Sequence, residues 1–216
     1  MTDRPRKIRK KPLRISYEEF RNADSVSACC AGGEQTTTLV SLVAREKTAA
    51  TPAAILDEML SGGEGLSVHG AWHHVLVGEL LLVGLRNAGY QISDEVIDEV
   101  IDRGRQLPGG SCGFLGACGA LVSAASAYAI LLGSTPVAQE ARQKTLAFTA
   151  RLHARLAEVG GSRCCKKSSY LALECAQAEL AQIGFELPVE EFVGRCPFYE
   201  ENEKCDGVHC PYFPSK

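Results

Sequence analysis

An all-α fold follows from three features of the 216-residue sequence. Apolar residues recur at helical spacing in several windows, glycine or proline punctuates those windows at their ends, and no run of about four to eight residues alternates as a half-buried strand would. With 45% hydrophobic and 23% charged residues the chain can bury a substantial core, as one main domain with small appendages. A net charge of -3 and a pI near 6.0 exclude a protein basic over its whole surface.

The basic charge is concentrated in residues 1–14, where Arg4, Arg6, Lys7, Arg9, Lys10, Lys11 and Arg14 accompany Pro5 and Pro12. Like charges repel and nothing there can be buried, so a flexible arm is expected, suited to RNA or an acidic protein partner. No apolar region follows it, so no secretory signal is expected and the cytoplasm is the expected compartment. Residues 15–50 show no firm periodicity, although Cys29-Cys30 before Gly32-Gly33 marks a loop.

The helical core is expected over residues 51–194. Thr51 as N-cap and Pro52 at the first helical position predict a helix to Leu60, stopped by Gly62-Gly63. A second helix is predicted from Ser67 to Ala88, with Gly89 as its stop. Ser93 caps a third through Ile101, its apolar positions Val96, Ile97, Val100 and Ile101, with Gly104 as its end. From Gln106 to Gln139 no residue is charged. The stretch from Ala117 to Leu132 within it is short and rich in Ala and Ser, which predicts a buried core helix rather than a membrane span. Thr135-Pro136 opens a helix to Val159, closed by Gly160-Gly161, and a last helix covers Ser169 to Ile183 before Gly184. Residues 195–216 form a cysteine-rich tail.

Ten cysteines in a reducing compartment favour metal binding or redox chemistry over disulfides. Cys112 and Cys118 enclose Gly113 and Gly116 and follow Gly109-Gly110, so backbone can pass close to a bulky inorganic group, with Gly110 and Gly113 nearest. Cys118 falls in the first turn of the following helix, where the helix dipole lowers a thiol pKa. Cys164 and Cys165 stand among Arg163, Lys166 and Lys167, which also favour thiolate. Adjacent side chains diverge, so one of the two is expected to join Cys112 and Cys118. The fourth ligand is then Cys165, a histidine or an exchangeable site. His69 and His73, four apart on the predicted helix, share an inward stripe with Leu76, Leu80 and Val83 and are candidates for ligation or acid-base work. In the tail, Cys196, Cys205 and Cys210, with His209, suggest a separate zinc site of three cysteines and one histidine or a second cluster, or equally three ligands completed by one from elsewhere. Cys175 lies mid-helix and reads as plain core.

His69-Gly70-x-x-His73-His74, Leu85-Arg86-Asn87, the run from Pro108 through Cys112 and Cys118 to Ala120, Arg163-Cys-Cys-Lys166 and the closing Cys196…Cys205…Cys210-Pro together resemble the family catalogued as domain of unknown function 5714. The resemblance spans about residues 52–213 and implies metal binding in a protein type found largely in anaerobes, sometimes fused to methyltransferase domains. A weaker similarity, through the Cys-Gly-Ala turn, is to redox-linked proteins named for a Cys-Gly-Cys-Ala motif. The expected cofactor is an iron-sulfur cluster, of the 4Fe-4S type, with zinc as the alternative metal. Three functions remain open: an enzyme with an open cluster site acting on a small-molecule or sulfur-carrying substrate, a fully ligated electron-transfer or redox-sensing protein, and a zinc-stabilised adaptor.

Overall fold

The computed structural model describes residues 40–61, 66 and 69–214, and over these the protein is all-α, with no strand among the described residues. The basic arm, most of residues 15–50 and the Cys29-Cys30 pair lie outside the described residues. After a helical segment ending at residue 45 come α1 (Pro52–Ser61), α2 (His73–Asn87), α3 (Asp94–Arg105) and the single turn α4 (Ser111–Phe114). Then follow α5 (Gly119–Leu131), α6 (Gln139–Val159), α7 (Cys165–Gln182) and a 3-10 turn (Gly207–His209). No helix among the described residues is long and apolar enough to cross a membrane.

The first helix begins as its sequence predicts. The Thr51 hydroxyl accepts a hydrogen bond from the Ala54 amide at 3.2 Å, and Pro52 takes the first helical position, where its missing N–H costs nothing. The charge-free stretch is indeed a core helix, α5, whose small residues let it lie against α2 over its length.

Helix α2 is the axis of the molecule. Every residue from His73 to Leu85 is buried, so it is apolar on all sides and must be covered on all sides, by α1, α3, α5 and α7. Small residues set the distances. A Cβ on Gly78 would stand 2.6 Å from the Ser123 carbonyl oxygen of α5, and one on Gly84 would stand 2.7 Å from the Pro52 ring. The Ser123 hydroxyl accepts from the Gly78 amide at 2.8 Å and donates to the Val75 carbonyl at 3.2 Å, a polar rivet between two otherwise apolar helices.

Four helix boundaries depart from the expected ones. Helix α2 begins at His73, not Ser67: residues 69–72 form a bend and turn, Gly70 being a poor helix former. Helix α3 continues to Arg105 because Gly104 is a packing contact and not a stop; a Cβ there would lie 2.2 Å from the His74 carbonyl oxygen. Helix α6 starts at Gln139, since Thr135 builds a turn, its hydroxyl accepting from Ala138 N–H at 3.1 Å. Helix α7 starts at Cys165, four residues early, with Cys164 as its N-cap, Sγ accepting from the Lys167 amide at 3.5 Å.

The tail is folded onto α7 and α1. Tyr212 is buried in the hydrophobic core, stacks at 5.5 Å on Tyr170, and donates from its hydroxyl to Glu174 at 2.7 Å. Arg195 pairs with Asp57 of α1 at 2.7 Å.

Candidate metal centre

Two hollows meet at the start of α7. The larger, about 330 Å³, is lined by Cys112, Cys118 and Cys165, by His73, and by the loop 160–163. Its thiols come from three elements: Cys112 from α4, Cys118 from the N-cap of α5, Cys165 from the first residue of α7. Gly110, in the left-handed region at φ 80°, starts α4 and so turns Cys112 towards the other two. Gly113 lines the hollow.

The environment differs at each thiol. Burial opposes ionisation of Cys118, yet His73, the Ser168 hydroxyl and the backbone of Ala120 together hold its pKa below the ordinary value. Partial enclosure and the neighbouring Cys118 and Cys165 push Cys112 up, against the opposing charge of Arg163. His73 is 6% exposed, and its Nδ1 is buried with no hydrogen-bond partner. The neighbouring His74 is structural. Its Nδ1 bonds the Leu107 carbonyl at 3.0 Å, while burial first and His73 second lower its pKa to about 4, so the ring is neutral and Nδ1 carries the proton. From α6, His153 accepts a hydrogen bond from the Cys118 amide on Nε2 at 3.2 Å and donates from Nδ1 to the Thr149 carbonyl at 2.9 Å, fixing the turn that presents Cys118.

The smaller hollow, about 20 Å³, is lined by Cys164, Cys196, Cys205 and Cys210. The adjacent pair Cys164-Cys165 is thus divided, Cys165 facing the larger hollow and Cys164 lying on the rim of both. Asp206 fastens the tail here: it accepts from the Ser162 amide at 2.9 Å and from Lys167 Nζ at 2.7 Å, and Lys167 also donates to the Gly160 carbonyl at 2.6 Å. Gly161, at φ 77°, leaves the room; a Cβ there would meet the Asp206 carboxylate at 2.3 Å.

The sequence-predicted residues therefore separate into two groups. His73, Cys112, Cys118 and Cys165 are brought together, and Cys196, Cys205 and Cys210 are brought to Cys164. His69 precedes α2 and lines neither hollow, so the expected shared stripe with His73 is absent. His209 lies in the 3-10 turn and also lines neither. Cys175 packs against the core, its thiol pushed up to about 11 by burial. Among the described residues no three His, Cys, Asp or Glu side chains are grouped as they would be around one bound ion. Sequence reading missed His153 and Ser168, which sit in ordinary helical contexts and gain meaning only from what packs against them.

These features define an all-α protein whose cysteines collect at the N-terminal ends of two core helices. The chain belongs to the family of unknown function DUF5714, whose model matches residues 40–213. No protein of curated description matches it, and neither does any solved structure.

Proposed function

We propose that the chain is a cytoplasmic iron-sulfur protein, with Cys112, Cys118 and Cys165 as the ligands and His73 beside them. The observation that supports this reading most is the convergence of three thiols from three separate elements on one hollow. At about 330 Å³ it is far larger than a single ion requires, and the three thiols reach it from separate elements. A cluster, which spreads its ligands over several metal atoms, fits such a spacing better than zinc.

The donor set fits the chemistry. Cys118 at the N-cap of α5 and Cys165 at the first residue of α7 lie where two helix dipoles favour anionic sulfur. Lys167 and Arg163 on the rim add positive charge. When bound, a cluster with one iron not held by cysteine would supply Lewis-acid, sulfur-transfer or one-electron chemistry. The chain's own part is to hold the group through Cys112, Cys118 and Cys165, to admit a small-molecule or sulfur-carrying substrate along the loop 160–163, and to place His73 beside it. Should His73 instead complete the ligand set, the protein would carry electrons or sense redox state without a substrate.

Anaerobically purified and iron-sulfide-reconstituted protein is expected to be brown, with iron and sulfide bound in equal amounts. Cys118→Ser and Cys165→Ser should each lose that chromophore, while Cys175→Ser keeps it. His73→Gln should fold with near wild-type Tm but lose metal or change the spectrum, since an amide neither titrates near neutrality nor binds iron well. Colourless protein after reconstitution would reject the reading.

A further inference from the structure

We infer that the protein holds a second, separate metal: one zinc-type divalent cation bound by the four thiolates of Cys164, Cys196, Cys205 and Cys210, which pins the C-terminal segment to the start of α7. The four side chains line the same hollow, though not drawn in as they would be around a bound ion, and its volume of about 20 Å³ has room for a single small occupant. Four cysteines round one ion is the ligand number of a closed, structural zinc site.

Backbone amides donate to two of these sulfurs. The Lys167 amide donates to Cys164 Sγ at 3.5 Å and the Gly207 amide to Cys205 Sγ at 3.4 Å. Two of the four sulfurs thus meet an amide two or three residues downstream, a contact that stabilises negative charge on a metal-bound sulfur. The two Cys-Pro-aromatic segments, Cys196-Pro197-Phe198 and Cys210-Pro211-Tyr212, are also tied to one another. Cys196 N–H donates to the Tyr212 carbonyl at 2.8 Å, and Gly194 N–H to the Pro211 carbonyl at 3.3 Å.

A second feature points to the same charge. Lys166 and Lys167 occupy the first turn of α7, where the helix dipole disfavours cations, and Lys166 is 0% exposed. Its ammonium lies 4.1 Å from the Phe198 ring centroid and 5.4 Å from that of Trp72, and it lines the hollow beside the cysteines. Four thiolates around one divalent cation carry two net negative charges, for which a buried ammonium is a suitable neighbour. Binding releases the thiol protons to solvent and involves no change of oxidation state.

The test uses the full-length chain, independently of whether the larger hollow holds iron. Metal analysis should find one zinc per chain, lost in Cys164→Ser, Cys205→Ser and Cys210→Ser but kept in Cys112→Ser and Cys118→Ser. Cobalt in place of zinc should give the visible bands of a tetrahedral four-sulfur site. Because a ligand variant could misfold, alkylation mapping is run on the wild-type chain as well. Zinc should protect Cys164, Cys196, Cys205 and Cys210, and a chelator should expose those four together. The inference is overturned by zinc that survives the three variants, by iron and sulfide at these cysteines, by disulfides among them, or by a wild-type chain without zinc whose four thiols alkylate freely.

Discussion

Glu79 is the residue whose surroundings differ most from what its chemistry prefers. It sits in the middle of α2 at 0% exposure, accepts from the Ser41 hydroxyl at 3.1 Å on Oε1, and has no hydrogen-bond partner for Oε2. Burial pushes its pKa up to about 8, with Ser41 and Arg45 pulling the other way too weakly to prevent it. A carboxyl whose folded pKa lies above its ordinary 4.5 is neutral in the fold at neutral pH and charged in the unfolded chain. Its contribution is therefore fully present below about pH 4.5, declines as pH rises, and is lost by the time pH passes 8. Glu79→Gln should flatten this slope, raising Tm most above pH 8 and little near pH 5 in thermal melts across that range; an unchanged slope would mean that the carboxyl is charged in the fold. In sequence Glu79 looks like the polar position of an amphipathic helix, and only covering α2 on every side makes it a core residue. The burial of Lys166 is hidden in the sequence for the same reason: next to two cysteines it reads as a cation favouring their thiolates, whereas the structure also places it under Trp72 and Phe198.

Between elements, the junction of α2 with α5 is made by His74 and Gly119. A Cβ at position 119 would fall 1.8 Å from the His74 ring, so the glycine is required by the imidazole lying across it. Gly119→Ala should lower stability by roughly 1–3 kcal/mol, as overpacked cores do. Adding His74→Ala should recover part of that loss, so that denaturant melts of the double variant show less than the sum of the two single effects. Full additivity would show that the two residues do not meet. Helix boundaries were legible where a residue has a single use, as Pro52 does in starting a helix and as Gly160 and Gly184 do in ending them with positive φ. Gly104 misled because glycine serves both as a stop and as a site of close approach, and a single sequence does not separate the two uses. The cysteine turn was legible as a turn, but that Cys165 lines the larger hollow alone while Cys164 lines both depends on where α7 begins, four residues before its apolar pattern becomes clear.

At the scale of the molecule, the all-α class was readable because helical periodicity and glycine punctuation agree along the whole core, while the partner of the tail was not. Nothing in the spacing of Cys196, Cys205 and Cys210 names Cys164; that pairing arises from Asp206, Lys167 and Tyr212 laying the tail over the start of α7. The enclosure of α2 also sets an order of opening. Its amides from Val77 to Leu85 can exchange with deuterium only when the surrounding helices part, so they should be the slowest in the protein and report global unfolding. Helix α6, which buries only Phe148 and Leu152 along its 21 residues, should exchange through local openings orders of magnitude sooner. Uniform protection across both helices would contradict this order. The larger hollow therefore has His73 on one side, at the start of the enclosed helix, and on the other the loop 160–163, which Asp206 and Lys167 hold through the Ser162 amide and the Gly160 carbonyl.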